Sequence, residues 1–205
     1  MTNPQAPYVL GAAAAEQERL IRQAATFDPL TERLFRDAGI GPGQRVLDVG
    51  SGVGDVAMLA ARIVGPSGSI TCVERDPTSL SRARPRAAEA GLGNVSFIEG
   101  NAENVISDGA FDAAGGRLVL QYVPNPAAVV QSLVALVRPG GVMAFQDVWP
   151  LSLLQLNAHL PLGMRQERPS LKQAANAAVR PKADKCHADI CSLRTSINAP
   201  TQTAS

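Results

Sequence analysis

The sequence predicts an α/β protein with a doubly wound, mostly parallel sheet and helices on both faces. Between residues 43 and 147, short apolar runs typical of buried strands alternate with helical patterns of about ten residues, as in βαβ units. The apolar run Arg45–Val49 is followed at once by glycines at every second position, which indicates a sharp turn from strand to helix. With 45% hydrophobic and 18% charged residues, the composition is typical of a globular domain and not of a disordered chain.

Two helices are predicted ahead of the sheet. The first covers residues 12–27, which are rich in Ala, Glu and Arg. Asp28 would cap a second helix, and the following proline suits a first turn, so this helix is expected over Pro29–Ala38. Residues 1–40 are therefore predicted to form a helical cap, and residues 41–150 to form the sheet domain.

Five strands and three helices are predicted within the sheet domain. The strands are expected at Arg45–Val49, Ser69–Glu74, Asn94–Glu99, Phe111 to about Gly115 (which could resume at Leu118–Leu120) and Val142–Gln146. The helices are expected at Asp55–Val64, Asp76 to about Ala90 and Pro126–Val137. Because proline lacks an N–H group, Pro85 should kink the second of these helices or delay its start.

The glycine turn could serve only to reverse the chain, or it could bind a ligand. A dinucleotide site requires Gly-x-Gly-x-x-Gly, which after Gly50 and Gly52 would place the third glycine at position 55. That position is Asp55, and an acid at the start of a helix would oppose a pyrophosphate. A P-loop is excluded here because no Gly-Lys-Ser/Thr follows.

The glycine turn resembles that of the class I S-adenosylmethionine-dependent methyltransferases, whose first strand closes with Asp/Glu-x-Gly-x-Gly-x-Gly. Asp48–Gly54 matches this pattern in full. The family's second strand ends in an acid that binds the ribose hydroxyls, and Glu74 stands at that point. Gly100–Glu103 resembles the family's Gly-Asp-Ala segment at the adenine, although Asn101 replaces the acid. The resemblance implies a Rossmann-like fold.

Further segments resemble the family in the expected order. Phe111–Arg117 resembles the fourth strand with its loop, and Leu136–Val142 resembles the turn into the fifth strand. Tyr8–Gly11 and the helices after it resemble, more weakly, the N-terminal cap of family members that act on small molecules. The resemblance therefore implies transfer of a methyl group from S-adenosyl-L-methionine to a small-molecule acceptor.

The resemblance also implies a set of residues that bind the methyl donor. They are Asp48, Gly50, Ser51, Gly52, Gly54, Glu74, Arg75, Asn101, Ala102, Glu103 and Arg117. Asp48 and the turn would receive the methionine end, Glu74 the ribose, and Asn101–Glu103 the adenine. Arg117 would face the donor or the acceptor, with a surface arginine as the alternative interpretation.

No residue is predicted to be catalytic, and no metal site is predicted. His159 and His187 both lie outside the recognisable fold, so neither is chosen as a general base. Cys186, His187 and Cys191 do not have the spacing of a zinc site.

The sequence changes character after Pro150. Residues 1–150 carry 12 Arg, no Lys and 15 Asp and Glu, whereas residues 151–205 carry 7 Lys and Arg against 3 Asp and Glu. The family normally adds a sixth strand and an antiparallel seventh, but only a short strand near Ile190–Ile197 is conceivable here. The sheet is therefore predicted to lack its last two strands, and residues 151–205 to form an atypical, poorly ordered tail.

This tail is either a diverged extension or unrelated sequence that continues a truncated domain, and the second interpretation is favoured. It would leave the edge of the fifth strand exposed. Two functions then stay open: an active small-molecule methyltransferase, or a protein that binds the donor but is inactive because its acceptor site is truncated.

The composition of the chain limits the kinds of binding partner and the cellular location that can be expected. A net charge of +1 gives no case for a nucleic acid or an anionic membrane as the partner, and no apolar run approaches the length of a membrane span. The three cysteines are an odd number, and no signal-like segment is seen at the N-terminus, so a reducing, cytoplasmic compartment is expected. Cys72 is expected to be a buried, inert thiol. The oligomeric state and the identity of the acceptor are not predicted.

Overall fold

The fold is built on one seven-stranded sheet. The computed structural model describes residues 14–105, 107, 110–148, 181–187 and 190–196. The strands are β1 (Arg45–Val49), β2 (Ser69–Glu74), β3 (Val95–Glu99), β4 (Phe111–Arg117), β5 (Val137–Val148), β6 (Pro181–His187) and β7 (Ile190–Ser196). The helices are α1 (Ala14–Asp37), α2 (Asp55–Val64), α3 (Pro77–Glu89) and α4 (Pro126–Val134), with short 3-10 helices at Ala102–Asn104 and Leu120–Tyr122.

The strand order across the sheet is β3-β2-β1-β4-β5-β7-β6. Strands β1 to β5 pair in parallel, whereas β7 pairs antiparallel with both β5 and β6. The order reverses direction between β1 and β4, which is the point where open α/β sheets bind their ligands. The predicted class, a doubly wound and mostly parallel Rossmann-like sheet, is confirmed.

Two apolar cores lie on opposite faces of the sheet. One contains Phe35 of α1, the apolar residues of α2, and Leu80 and Ala83 of α3. The other contains Val129, Val130 and Leu133 of α4 with the opposite side chains of β1, β4 and β5. Alternate residues of one strand serve the two cores, since Val46 faces the first and Leu47 the second. Buried Cys72 belongs to the first core, as predicted.

The prediction that the sheet lacks its last two strands is wrong. Strand β7 pairs with β5 from Val142↔Ser196 to Val148↔Ile190, and β6 pairs with β7. The predicted exposed edge of β5 is therefore covered. In sequence, Pro181–His187 contains only two apolar residues, Ala183 and Cys186, so it lacks the continuous apolar run of a buried parallel strand. An antiparallel strand at the rim of a sheet does not need such a run.

The prediction of two N-terminal helices is also wrong, because α1 is one helix that contains Pro29. Contacts on both sides of the proline hold the helix in register. Asp28 pairs with Arg117, and the Thr31 Oγ1 hydroxyl donates to Gln146 Oε1 at 2.6 Å. These tertiary contacts offset the single helical hydrogen bond that proline removes.

Several predicted boundaries shift, and α4 ends at Val134 instead of Val137. Helix α3 begins at Pro77 and continues through Pro85, so its start is not delayed. The 118–120 segment does not resume β4 but enters the 3-10 helix at Leu120–Tyr122. Strand β5 begins at Val137, and the Pro-Gly-Gly turn predicted before it lies within the strand, where the β4–β5 register shifts between Phe111 and Ala113. That irregularity in the pairing accommodates the extra residues of β5.

None of the helices in the described part of the chain is long and apolar enough to span a bilayer.

Candidate functional site

The glycine turn joins β1 to α2 at the carboxyl end of the sheet. Gly50, Gly52 and Gly54 all have positive φ angles, of 66°, 54° and 87°. These angles lie in the left-handed region, which glycine adopts without steric cost. The Gly50 N–H donates to the Val73 carbonyl at 2.8 Å, so the turn is tied to the end of β2. The pattern of three alternating glycines thus has a direct conformational cause.

The surroundings of the three glycines differ. A Cβ atom added to Gly50 would lie 2.5 Å from Val119 Cγ2, and one added to Gly54 would lie 3.2 Å from Ala83 Cβ. A Cβ atom added to Gly52 would meet nothing within 4 Å. The turn is therefore packed against protein at both ends and opens into free space at its centre.

Glu74 ends β2 beside this open centre. Only 6% of the residue is exposed. Its Oε2 accepts a hydrogen bond from the Gly52 N–H at 2.8 Å, and its Oε1 accepts one from the Asp76 N–H at 2.9 Å. Each carboxylate oxygen can accept about one more hydrogen bond. Glu74 therefore fixes the turn and keeps the capacity to accept from two neighbouring hydroxyls of a ligand.

A cavity of about 350 Å³ opens at this edge. The glycine turn and the ends of β2, β3 and β4 line it, together with α1 and the 118–124 segment. Nine of the eleven predicted donor-binding residues border it: Gly50, Ser51, Gly52, Glu74, Arg75, Asn101, Ala102, Glu103 and Arg117. Four segments of the chain thus bring together nine of the residues that the resemblance selected.

Asp48 and Gly54 are the two predicted residues that do not border the cavity. Gly54 precedes α2 and packs against α3. Asp48 is only 2% exposed, and its carboxylate oxygens find no hydrogen-bond partner among the described residues. Burial raises the pKa of Asp48 to about 8, although the positive charge of Arg117 acts to lower it. Asp48 therefore lies beneath the turn as a largely protonated acid at neutral pH.

Three further polar groups in the described region are buried without a hydrogen-bond partner near the site. They are the Ser51 Oγ hydroxyl in the glycine turn, and the Gln146 Nε2 amide and the Asp147 carboxylate at the end of β5. Burial raises the pKa of Asp147 to about 7, while the nearby backbone N–H groups of residues 119–121, whose geometry falls short of a hydrogen bond, act to lower it. Because buried polar groups are normally hydrogen-bonded, the Ser51 hydroxyl at the cavity wall is available to a ligand.

Arg117 is not a surface residue. Its side chain is 7% exposed, and its Nη1 donates to Asp28 Oδ1 at 2.8 Å and to Thr31 Oγ1 at 3.0 Å. The guanidinium also lies 5.9 Å from the centroid of the Phe27 ring, within the range of a cation–π contact. Arg117 borders the cavity and at the same time anchors α1 to the end of β4.

Sequence reasoning missed two parts of the cavity wall. One is the face of α1 formed by Glu16, Arg19, Leu20, Gln23 and Ala24, and the other is the segment of Leu118, Val119, Tyr122, Val123 and Pro124. The helical pattern of α1 was visible in the sequence, but which of its faces meets the sheet edge depends on tertiary contacts. The later segment carries no motif, although Leu118 adopts a positive φ of 56°, which is uncommon for a residue with a side chain.

No group of three or more His, Cys, Asp or Glu side chains in the described residues could hold a metal ion. His159 and the segment Tyr8–Gly11 lie outside the described residues. His187 ends β6, and that strand is described by its backbone alone.

The fold and the site define a methyltransferase domain. The family model described as "Methyltransferase domain" matches residues 40–196, which is more than half of the chain, so the protein belongs to this family. The match extends to the end of β7. The similarity to the family therefore covers the whole sheet domain and not only the separate sequence motifs.

The curated relatives that the chain matches include methyltransferases. The ubiquinone/menaquinone biosynthesis C-methyltransferase of Pseudomonas putida is 32% identical over 106 residues, which is 51% of this chain and 41% of that protein. The arsenite methyltransferase of Halobacterium salinarum is 34% identical over 112 residues, or 54% of this chain and 29% of that protein. The chain thus matches less than half the length of these curated relatives.

The fold is also shared with a crystal structure of an S-adenosylmethionine-dependent methyltransferase from Aquifex aeolicus. The TM-score is 0.68 at 17% sequence identity, and the match covers 82% of this chain and 89% of that chain. At this identity the likeness concerns the fold.

Proposed function

We propose that the protein binds S-adenosyl-L-methionine in the described cavity and transfers its methyl group to a small organic acceptor. The observation that carries the proposal is the meeting of Glu74 and the glycine turn. The Gly52 N–H and the Glu74 carboxylate are joined at 2.8 Å in one cavity wall, where an added Cβ atom at Gly52 would point into free space. A carboxylate in this position can accept hydrogen bonds from the two adjacent hydroxyls of a ribose. A ligand without a phosphate is favoured, because the acids in the cavity wall would repel a phosphate.

The residues present fit this donor in three places. Glu74 would accept from both ribose hydroxyls, and Asn101–Glu103 at the neighbouring strand end would border the adenine. The turn from Gly50 to Gly52, with the buried Ser51 hydroxyl, would receive the methionine end. Asp48 beneath the turn would act through the turn, since it does not border the cavity.

S-Adenosylmethionine supplies a methyl group that is already activated on a positively charged sulfur. The protein therefore has to hold the two reactants in line and keep water away. Helix α1 covers the cavity, and Arg117 holds it there through Asp28 and Thr31. We infer that residues 14–37 form the cap that the sequence predicted over residues 1–40, and that this cap contributes part of the acceptor side.

The acceptor side of the cavity favours an organic molecule. Its described wall combines apolar side chains of α1 and of residues 118–124 with the polar Glu16, Arg19 and Gln23. Trivalent arsenic binds thiols, but that wall contains no cysteine, since Cys72 is buried in the core on the α2 side. The alternative of an inactive donor-binding protein loses its main argument, because the two strands it supposed to be missing are present. A cytoplasmic location stays a proposal that rests on the odd cysteine count.

Titration calorimetry with S-adenosylhomocysteine tests the donor site. Glu74→Ala should weaken binding at least tenfold, because the ribose loses a charged acceptor that is worth about 1.5–3 kcal/mol. Glu99→Ala is the matched control, since Glu99 pairs in register with Glu74 on the neighbouring strand but is exposed and outside the cavity. Equal affinity of parent and Glu74→Ala would remove the ribose assignment.

Transfer of a labelled methyl group to a panel of phenols, amines and carbon acids tests the reaction itself. Product with any of these acceptors supports the proposal. Tight donor binding without transfer to any acceptor class would favour the inactive alternative.

A further inference from the structure

Helix α3 packs directly behind the glycine turn. Ala83 faces Gly54, so a Cβ atom added to Gly54 would lie 3.2 Å from Ala83 Cβ. The same added atom would lie 3.6 Å from the ring of Phe97 in β3. One turn of helix later, Arg86 reaches the glycine turn with its guanidinium. The side chain of Arg86 is 22% exposed, so the contact is partly shielded from water.

The guanidinium of Arg86 holds two adjacent points of the turn. Its Nη1 donates to the Val53 carbonyl at 2.5 Å, and its Nη2 donates to Asp55 Oδ1 at 2.6 Å. Val53 lies between Gly52 and Gly54, and Asp55 begins α2 and borders the cavity. A planar guanidinium can satisfy both acceptors at once, which a lysine ammonium does less well.

The turn needs such support because of its glycines. Glycine loses more conformational freedom on folding than any other residue, so a turn with three glycines samples other conformations unless neighbours restrain it. The Gly52 N–H must also point at Glu74 for the two to act together on a ligand. A contact that fixes the Val53 carbonyl fixes the Val53–Gly54 peptide, and it thereby limits the backbone motion open to the neighbouring Gly52.

We propose that Arg86 is a positioning residue for the methyl donor, which holds the glycine turn in its binding conformation through Val53 and Asp55. The inference rests on the proposed function, because it assigns the turn to donor binding. Arg86 does not border the cavity and acts only through the turn. None of the sequence motifs includes it, since it lies within α3 and not at the end of a strand.

Two measurements on the full chain test the proposal. Calorimetry with S-adenosylhomocysteine should show binding weakened about tenfold in Arg86→Gln, with partial recovery in Arg86→Lys, which keeps the charge but has its N–H donors on a single nitrogen. Hydrogen exchange of the ligand-free protein should show faster exchange of the amides of residues 50–55 in Arg86→Gln. Both are measured at a temperature where circular dichroism shows each variant to be folded.

Arg36→Gln is the matched control. It also removes one positive charge and one ion pair, but the Arg36–Glu32 pair lies on the exposed surface of α1, away from the cavity. This variant should bind within twofold of the parent and leave the exchange of residues 50–55 unchanged. If Arg86→Gln does not fold, Asp55→Asn removes the ion pair from the other side and should give the same faster exchange.

The two measurements separate this inference from the proposed function. A parent protein that binds no S-adenosylhomocysteine contradicts the proposed function, and the exchange experiment still shows whether Arg86 restrains the turn. Unchanged exchange of residues 50–55 in Arg86→Gln, or binding within twofold of the parent, would overturn the role assigned to Arg86.

Discussion

Asp48 is the acid whose position differs most from what its motif suggests. It belongs to the glycine pattern, yet the cavity does not reach it, and burial keeps it largely protonated. A protonated acid can donate as well as accept, so Asp48 can bond to a backbone group or to a polar ligand atom. Its burial places a titrating group directly beneath the turn.

The raised pKa of Asp48 gives the ligand-free protein a stability that depends on pH. The unfolded chain ionises this residue near pH 3.9, whereas the folded protein keeps the proton until about pH 8. The unfolded state is therefore favoured as pH rises across this window, and the free energy of unfolding should fall by up to about 1.4 kcal/mol per pH unit for this group. Asp147, with a pKa of about 7, acts in the same direction.

Urea denaturation of the parent and of Asp48→Asn between pH 5 and pH 8 measures this effect. Asparagine keeps the shape but does not titrate, so the variant should lose part of the pH dependence and keep the part due to Asp147. Parallel curves for the two proteins would show that Asp48 is ionised in the folded state.

That Gly50, Gly52 and Glu74 border the cavity was predictable, because these residues are tied to a local pattern. Gly50, Gly52 and Glu74 stand at strand ends, and the end of a parallel strand at a switch point borders the ligand site. The depth of Asp48 was not predictable, because it depends on the packing of α2 against β1. The role of Arg86 was equally hidden, since an arginine within a helix looks like any solvated charge.

At the scale of elements, α1 shows how tertiary contacts override a local signal. The Asp-Pro pair at 28–29 favours a helix start, but Arg117 and Gln146 hold the chain on both sides of the proline. Arg117 connects the helix to the end of β4, and Gln146 connects it to β5. The residues near the proline in the sequence do not reveal either contact, so a single helix could not have been predicted.

Substitution of Arg117 should loosen α1. In Arg117→Gln the partly buried Asp28 loses its partner, and we expect a loss of about 1–3 kcal/mol of stability, reduced from the value for a fully buried pair because Asp28 is about a third exposed. Hydrogen exchange should increase along Ala14–Asp37. Arg36→Gln on the same helix removes an exposed pair and should cost at most about 0.5 kcal/mol. Equal effects of the two substitutions would mean that Arg117 does not anchor the helix.

At the scale of the whole molecule, β6 and β7 complete the sheet beyond β5. The sequence indicated β7 only as a conceivable short strand near Ile190–Ile197, and it gave no sign of β6, whose residues are mostly polar. The parallel centre of the sheet could be predicted well, since strands buried on both faces must be apolar. The strands at the rim could not be predicted in this way, because backbone pairing, of β7 with β5 and of β6 with β7, and not an apolar sequence, places them in the sheet.

Removal of these strands should expose β5. A chain that ends at residue 180 leaves the backbone groups from Val142 to Val148 without their partners, so size-exclusion chromatography should show aggregates or dimers. A chain that ends at residue 196 keeps both strands and serves as the control. If the shorter chain remains a monomer with the same melting temperature as the control, the strands do not protect the edge.

The contact between Gly54 and Ala83 links two positions that lie 29 residues apart in the chain. Any side chain at position 54 would be strained by its backbone angle and would also push against α3, while a residue larger than alanine at position 83 would push against the turn. The mutational tolerance of one face of α3 is therefore set by a turn that precedes it. In related sequences we expect the residues at positions 54 and 83 to covary, with small residues at both positions, because of this contact.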